Sequence, residues 1–179
     1  MIEFELAKRG KARVWIDELP PVESLSSVLS WRQEGFGGAK GQAFHKRVVV
    51  EFFQPFGATF HYGLLGAEFQ ASASDELVVA VSIDTPSPKI PYIDSLAIKV
   101  DEVVVGSTPE YAEAVLTSLL HQPAELLPSG QLKFTFMAHG AVGSARVVFE
   151  KLASAVIRLL VRIEPLQGGD EMAEILKET

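Results

Sequence analysis

The 179-residue chain contains no cysteine. That absence excludes disulfides, thiolate-bound zinc, iron–sulfur clusters and thiol nucleophiles. The chain also lacks an excess of positive charge. Sixteen Lys and Arg against 23 Asp and Glu leave a net charge of −7, which disfavours non-specific binding to nucleic acid or to an anionic membrane. No long uncharged apolar run is present. The most apolar window, 147–163, is interrupted by Glu150, Lys151, Arg158 and Arg162, so it falls short of the ~20 residues a membrane helix needs. Glu3 and Glu5 break the short apolar stretch at the N-terminus, which is not the pattern of a signal peptide. These absences predict a mature cytoplasmic chain with no membrane partner.

Recognisable catalytic spacing is equally scarce. His45, His61, His121 and His139 have no second ligand at a metal-motif spacing. There is no Gly-x-Ser-x-Gly elbow and no phosphate-loop lysine. Asp75-Glu76 and Asp101-Glu102 are adjacent pairs whose side chains would point to opposite faces of a strand. The expectation is a protein that is not an enzyme and carries no metal or cofactor.

What is present is enough to build a core, since 47% of residues are hydrophobic and 22% charged. One domain over 1–165 accounts for the length, followed by a tail, 166–179, long enough for a short docked helix. Short β-favouring runs at 2–7 and 11–16 predict two strands. Pro20, Pro21 and the spacing of Val22, Leu25, Val28 and Leu29 predict a helix over 20–32, with Trp31 near its end. The glycine-rich stretch Gly35-Phe36-Gly37-Gly38-Ala39-Lys40-Gly41-Gln42 then predicts a loop.

Apolar runs at 46–53, 59–71 and 77–83 predict strands. A proline-rich surface connection follows at 85–91, and then a strand over 95–105. Thr108-Pro109-Glu110 reads as an N-cap, a first-turn proline and a first-turn acid. Leu132, Phe134 and Phe136 alternate as a one-faced strand. Val148, Leu152, Val156 and Leu159 predict a helix that Pro165 stops, and Met172, Ile175 and Leu176 mark the tail helix. Six or seven strands and three substantial helices in this order make an α+β protein.

Two glycine loops stand out. Gly140 and Gly143 let backbone amides converge at a helix N-terminus, which favours an anion. The plainer reading is a turn with Ser144 as an N-cap. Around the first loop the chain is locally basic, with Arg32, Lys40, Lys46 and Arg47 against Glu34. Residues 68–110 are acidic, with eight acids against Lys89 and Lys99. The surface is thus expected to be dipolar.

Read in order, Gly37-Gly38-Ala39-Lys40-Gly41-Gln42 leading into Phe44–Val50 resembles the Gly-Gly-x-Gly-Gln loop and strand of domain IV of the ribosomal translocase family, the elongation factor G type, with one residue inserted. Val103-Val104-Val105-Gly106 followed by Pro109-Glu110-Tyr111 is similar to that domain's strand and helix start. Leu132–Met137 and Val148–Ala153 resemble its last strand and helix. The second loop departs from the family, reading His139-Gly140-Ala141-Val142-Gly143-Ser144 without the family's acid, and no GTPase motif is present.

The resemblance implies a layer like the second domain of ribosomal protein S5, a mixed sheet with helices on one face. It also implies a tip formed by the 37–46 and 138–146 loops. At that tip Lys40, Gln42, His45, Lys46, His139 and Arg146 would contact structured RNA or the ribosome. The alternative is a protein-interaction or regulatory module using the acidic 68–110 surface, with no role in nucleic-acid binding.

Overall fold

A computed structural model describes residues 1–21, 30–37, 44–72, 76–84, 88–121, 127–162 and 164–177, of which 30–37 as backbone. In chain order these form β1 (Ile2–Leu6), a 3-10 turn (Ala7–Arg9), β2 (Gly10–Ile16), β3 (Ser30–Gly37), β4 (His45–Phe56) and β5 (Thr59–Ala71). Then follow β6 (Glu76–Ile83), β7 (Ile90–Pro91), β8 (Val103–Val105), α1 (Pro109–Leu120), β9 (Gly130–Gly140), α2 (Arg146–Val161) and α3 (Gly169–Lys177). The fold is α+β.

The strands join one sheet in the order β1-β2-β4-β5-β9-β6-β3. All pairings are antiparallel except β6 with β9. That parallel pair is joined through α1, as parallel neighbours require a crossover. β9 serves two partners: its first half, Gly130–Phe134, lies beside β6, and its last residues, Ala138–Gly140, lie beside β8. Between them Thr135 is an extra residue, since Gly66 pairs with Phe136 and Ala67 with Phe134. This bulge separates the two halves of β9.

Both sheet faces are covered, which is why β4 and β5 read as continuous apolar runs (Val48–Val50, Leu64–Leu65) rather than alternating ones. On one face Val48, Val50, Leu65, Ala67, Phe69 and Phe134 pack under α1, α2 and α3. On the other, Trp15, Val49, Tyr62, Leu64 and Ala138 are covered by Tyr92, Ala97, Val103 and Val105. The covering excursion starts and finishes at one point, because Asp84 and Ser107 exchange two backbone hydrogen bonds of 3.0 and 2.7 Å.

Local chemistry explains the helices. Thr108 Oγ1 accepts from Tyr111 N at 3.4 Å, with Pro109 in the first turn of α1. The α1–α2 contact uses small residues, and the Ser118 hydroxyl lies 2.9 Å from both the Glu150 carbonyl and the Ser154 hydroxyl. α3 buries Met172 and Leu176 in the same core as Phe4.

Three expectations fail. The helix over 20–32 is contradicted at its end, because Ser30, Trp31 and Arg32 belong to β3; residues 22–29 lie outside the described ones. Gly35, Phe36 and Gly37, read as loop, are also in that strand. Eight paired positions, from Ser30↔Ile83 to Gly37↔Glu76, hold this terminal strand of the sheet together despite its glycines. The strand expected over 95–105 is confined to Val103–Val105. Residues 95–101 form successive turns instead, with Ile98 N donating to Ser95 O (3.1 Å) and Val100 N to Ala97 O (2.8 Å). Here Leu96 and Ala97 pack toward the sheet, while Ile98 and Val100 are exposed.

Candidate functional site

The sheet registers place the described flanks of the first glycine loop, Gly37 and Phe44, far from the second loop. Gly37 pairs with Glu76, Phe44 O accepts from Ala71 N at 3.0 Å, and Ala71 pairs with Gly130. These anchors of the 38–43 connection mark one end of the sheet. The 141–144 turn belongs to the other end, where Tyr62 N donates to Gly143 O at 2.9 Å. His45 lies opposite Gln70, and from Gln70 to Tyr62 is roughly 26 Å at ~3.3 Å per residue. The shared tip expected from the sequence is not assembled by these anchors.

Lys40 and Gln42 lie outside the described residues. His45 Nε2 lies 2.6 Å from Glu68 Oε1, and Arg47 Nη2 donates to the other Glu68 oxygen at 3.0 Å. These two bonds hold the Glu68 carboxyl below its ordinary range. Lys46 Nζ donates to Leu159 O (2.8 Å) and Arg162 O (2.5 Å). It satisfies carbonyls left open at the end of α2. Burial lowers its pKa. His139 is half-buried against Tyr111, with ring centroids 5.3 Å apart, and its Nδ1 lies 3.1 Å from Gly106 O. That contact puts the proton on Nδ1, and burial lowers the pKa of the ring. Arg146 opens α2 and is exposed.

The β9–α2 turn is built as an anion site, and the chain supplies its own anion. Val142 N donates to the Asp101 carboxylate at 3.1 Å and Gly143 N at 2.8 Å. Ala141 N donates to Glu102 O at 3.0 Å. Ser144 is not the N-cap of α2; that position is Ala145, without a side-chain bond. The Ser144 hydroxyl instead accepts from Gly140 N (2.9 Å) and donates to Tyr62 O (2.8 Å), tying the turn to the sheet. A side chain at Gly140 would strike the Asp101 carboxylate, and one at Gly143 would strike Phe60. The amides that the sequence offers to a phosphate are therefore held by Asp101. Held this way, the turn presents Val142 at 76% exposure, followed by Val147 at 44%. Val100, also exposed, directly precedes Asp101.

A second polar cluster escaped sequence reasoning. Glu51 is fully buried on β4, accepting from Leu96 N (2.8 Å), the Tyr62 hydroxyl (3.1 Å) and Arg13 Nη1 (3.4 Å). The same Arg13 nitrogen donates to Asp94 O at 2.7 Å, and Arg13 Nε donates to Glu3 at 2.8 Å. Burial pushes Glu51 up to about 7, against the lowering effect of these bonds. Such a carboxyl has the proton affinity of a general acid or base at neutral pH, but it is sealed from solvent. In this fold it fastens the 92–97 segment to the sheet. The one signal in the sequence is a lone acid inside Val48-Val49-Val50-Glu51-Phe52-Phe53.

The chain has no significant match among family models, curated proteins or solved structures. Its site is therefore defined by geometry: a turn locked by an internal carboxylate and carrying exposed valines. Among the described residues, no three His, Asp or Glu side chains converge as a metal ion requires.

Proposed function

We propose that this chain is a non-enzymatic module that docks a protein partner through the end of the sheet where β9 passes into α2. The carrying observation is Val142, whose amide is fixed by Asp101 while its side chain is 76% exposed. A rigid turn that displays an apolar residue loses little entropy on docking. With Val147 in the first turn of α2 and Arg146 between them, the fitting partner presents an apolar recess beside an acid.

The order of elements supports kinship with the translocase domain. β8 ends at Val105 just before Gly106, α1 begins at Pro109, and β9, the Gly140–Gly143 turn and α2 follow, which is the succession that the resemblance implies. With β9 between β5 and β6 and the helices on one face, an S5-domain-2-like layer is the reading we favour. Within it a protein partner suits the turn better than RNA, because the amides suited to phosphate already hold Asp101. Lys46, expected at phosphate, is spent on α2. The acidic 68–110 stretch is a weaker docking surface, since Glu68 pairs with His45 and Arg47, Asp84 is buried and Asp94 lies 3.5 Å from Arg13.

The test is affinity capture from native cells with the full chain, comparing wild type with the double variant V142E/V147E, each with and without ribonuclease. The expected result is a protein partner retained after ribonuclease and lost with the variant, whose urea midpoint stays within error of wild type. Capture that survives the double substitution, or that ribonuclease abolishes, would overturn this reading, the second outcome in favour of RNA.

A further inference from the structure

A pocket of about 290 Å³ opens between the 3-10 turn after β1, the hairpin end of β4–β5, α2 and α3. Its walls are apolar, formed chiefly by Leu6, Phe52, Phe56 and Leu176. Among the described residues its charged lining is of one sign. Lys8 comes from the 3-10 turn, Lys151 from α2 and Lys177 from the last turn of α3; His61 and Gln54 add polar groups, and no carboxylate of the described residues lines the space.

In a chain with 23 acids and 16 bases, three lysines from three elements lining one pocket with no acid among the described residues is a local reversal of charge. Among the described residues none of the three has an ion-pair partner. Lys8 is held at φ 57°, a conformation uncommon for a side-chain-bearing residue, and its ammonium lies 5.7 Å from the centre of the Phe56 ring. Phe56 itself is more than half exposed at this site. Lysines lining a pocket beside a partly exposed aromatic ring are complementary to a molecule that has an apolar body and an anionic head.

We propose that this pocket binds a small amphipathic carboxylate, its chain against Phe52, Phe56 and Leu176 and its head among Lys8, Lys151 and Lys177. The volume sits at the lower bound of ligand pockets, ~300–1,000 Å³, so the ligand is a medium-chain acid rather than a full-length lipid. This site does not depend on the valine turn, and its test does not involve a protein partner.

The experiment is calorimetric titration of the full chain with sodium decanoate below its micellar concentration, with decanol, acetate and inorganic phosphate as controls. Saturable decanoate binding is expected, at least tenfold tighter than decanol or either small anion. In K8M/K151M/K177M, which keeps the aliphatic stems, decanoate should weaken at least tenfold while decanol is unchanged. The variant L176D should lose both. Absence of saturable decanoate binding to wild type, equal binding of decanol, equal binding of acetate or phosphate, or decanoate affinity unchanged in the triple variant would each overturn the assignment. Circular dichroism of each variant confirms that it is folded before titration.

Discussion

A carboxylate between Val50 and Phe52 costs more in this fold than at the surface, and the cost depends on pH. Glu51 has an ordinary value of 4.5 and is raised to about 7 in the folded chain. Between those pH values the native state holds a proton that the unfolded chain releases. Its contribution to stability is therefore full below pH 4.5 and declines as pH rises to 7. At about 1.4 kcal/mol per pH unit the decline is roughly 3 kcal/mol.

His139, lowered by burial from 6.5, acts the other way, since it resists the charging that the unfolded chain undergoes as pH falls. The clean readout is hence the difference between wild type and Glu51→Gln. Glutamine keeps an acceptor for Leu96 N and the Tyr62 hydroxyl. In urea titrations at pH 5 and pH 8, the variant should gain on wild type at pH 8 by about 2–3 kcal/mol more than at pH 5. Parallel pH profiles would show that Glu51 is not the titrating group. The acid itself is conspicuous in the sequence, but Arg13 and Leu96 reach it only through the tertiary fold, so its environment was not legible there. The same holds for Asp101, expected as half of an adjacent pair split between two faces of a strand, although it closes the β9–α2 turn.

Elements were legible where hydrophobic pattern and local signals agreed. β4, β5 and β6 follow the apolar runs at 46–53, 59–71 and 77–83, and α1 follows its Thr-Pro start. β3 was misread because its stabilisation is non-local: it pairs along β6, and glycine content argues against a strand only when the backbone has no partner. Lys46 was misread for a related reason. A lysine beside a glycine loop looks available for phosphate, yet its ammonium closes the C-terminus of α2, remote in sequence.

The two roles for Lys46 separate experimentally. Lys46→Met keeps the stem and removes two charge-assisted bonds, so it should cost about 1–3 kcal/mol. It should also speed amide exchange in the last turn of α2. Unaltered stability and exchange would free Lys46 for a surface role.

At the scale of the molecule, one sheet carries two cores of unequal origin. The helical side is built from elements that run the length of the chain, while the other side depends on the excursion that Asp84 and Ser107 close. Replacing 85–106 with a short Gly-Ser linker should leave the helical layer folded by far-UV circular dichroism. It should also expose Trp15, Val49, Tyr62 and Leu64 and turn a monodisperse chain into one that self-associates in light scattering. Loss of all helical signal would show that the two cores fold as one unit.

The charge of −7, which as a total argues against anionic partners, is distributed by the same architecture. Glu51, Glu68, Asp94 and Asp101 are engaged internally, while Lys8, Lys151 and Lys177 line one pocket beside α3. The Asp84–Ser107 pairing has a genealogical consequence as well. A segment whose two ends are already neighbours can lengthen, shorten or be exchanged over generations while β6 and α1 stay where they are. Descendants of a common ancestor would then differ most in the flap over this face and least in the strands and helices beneath it.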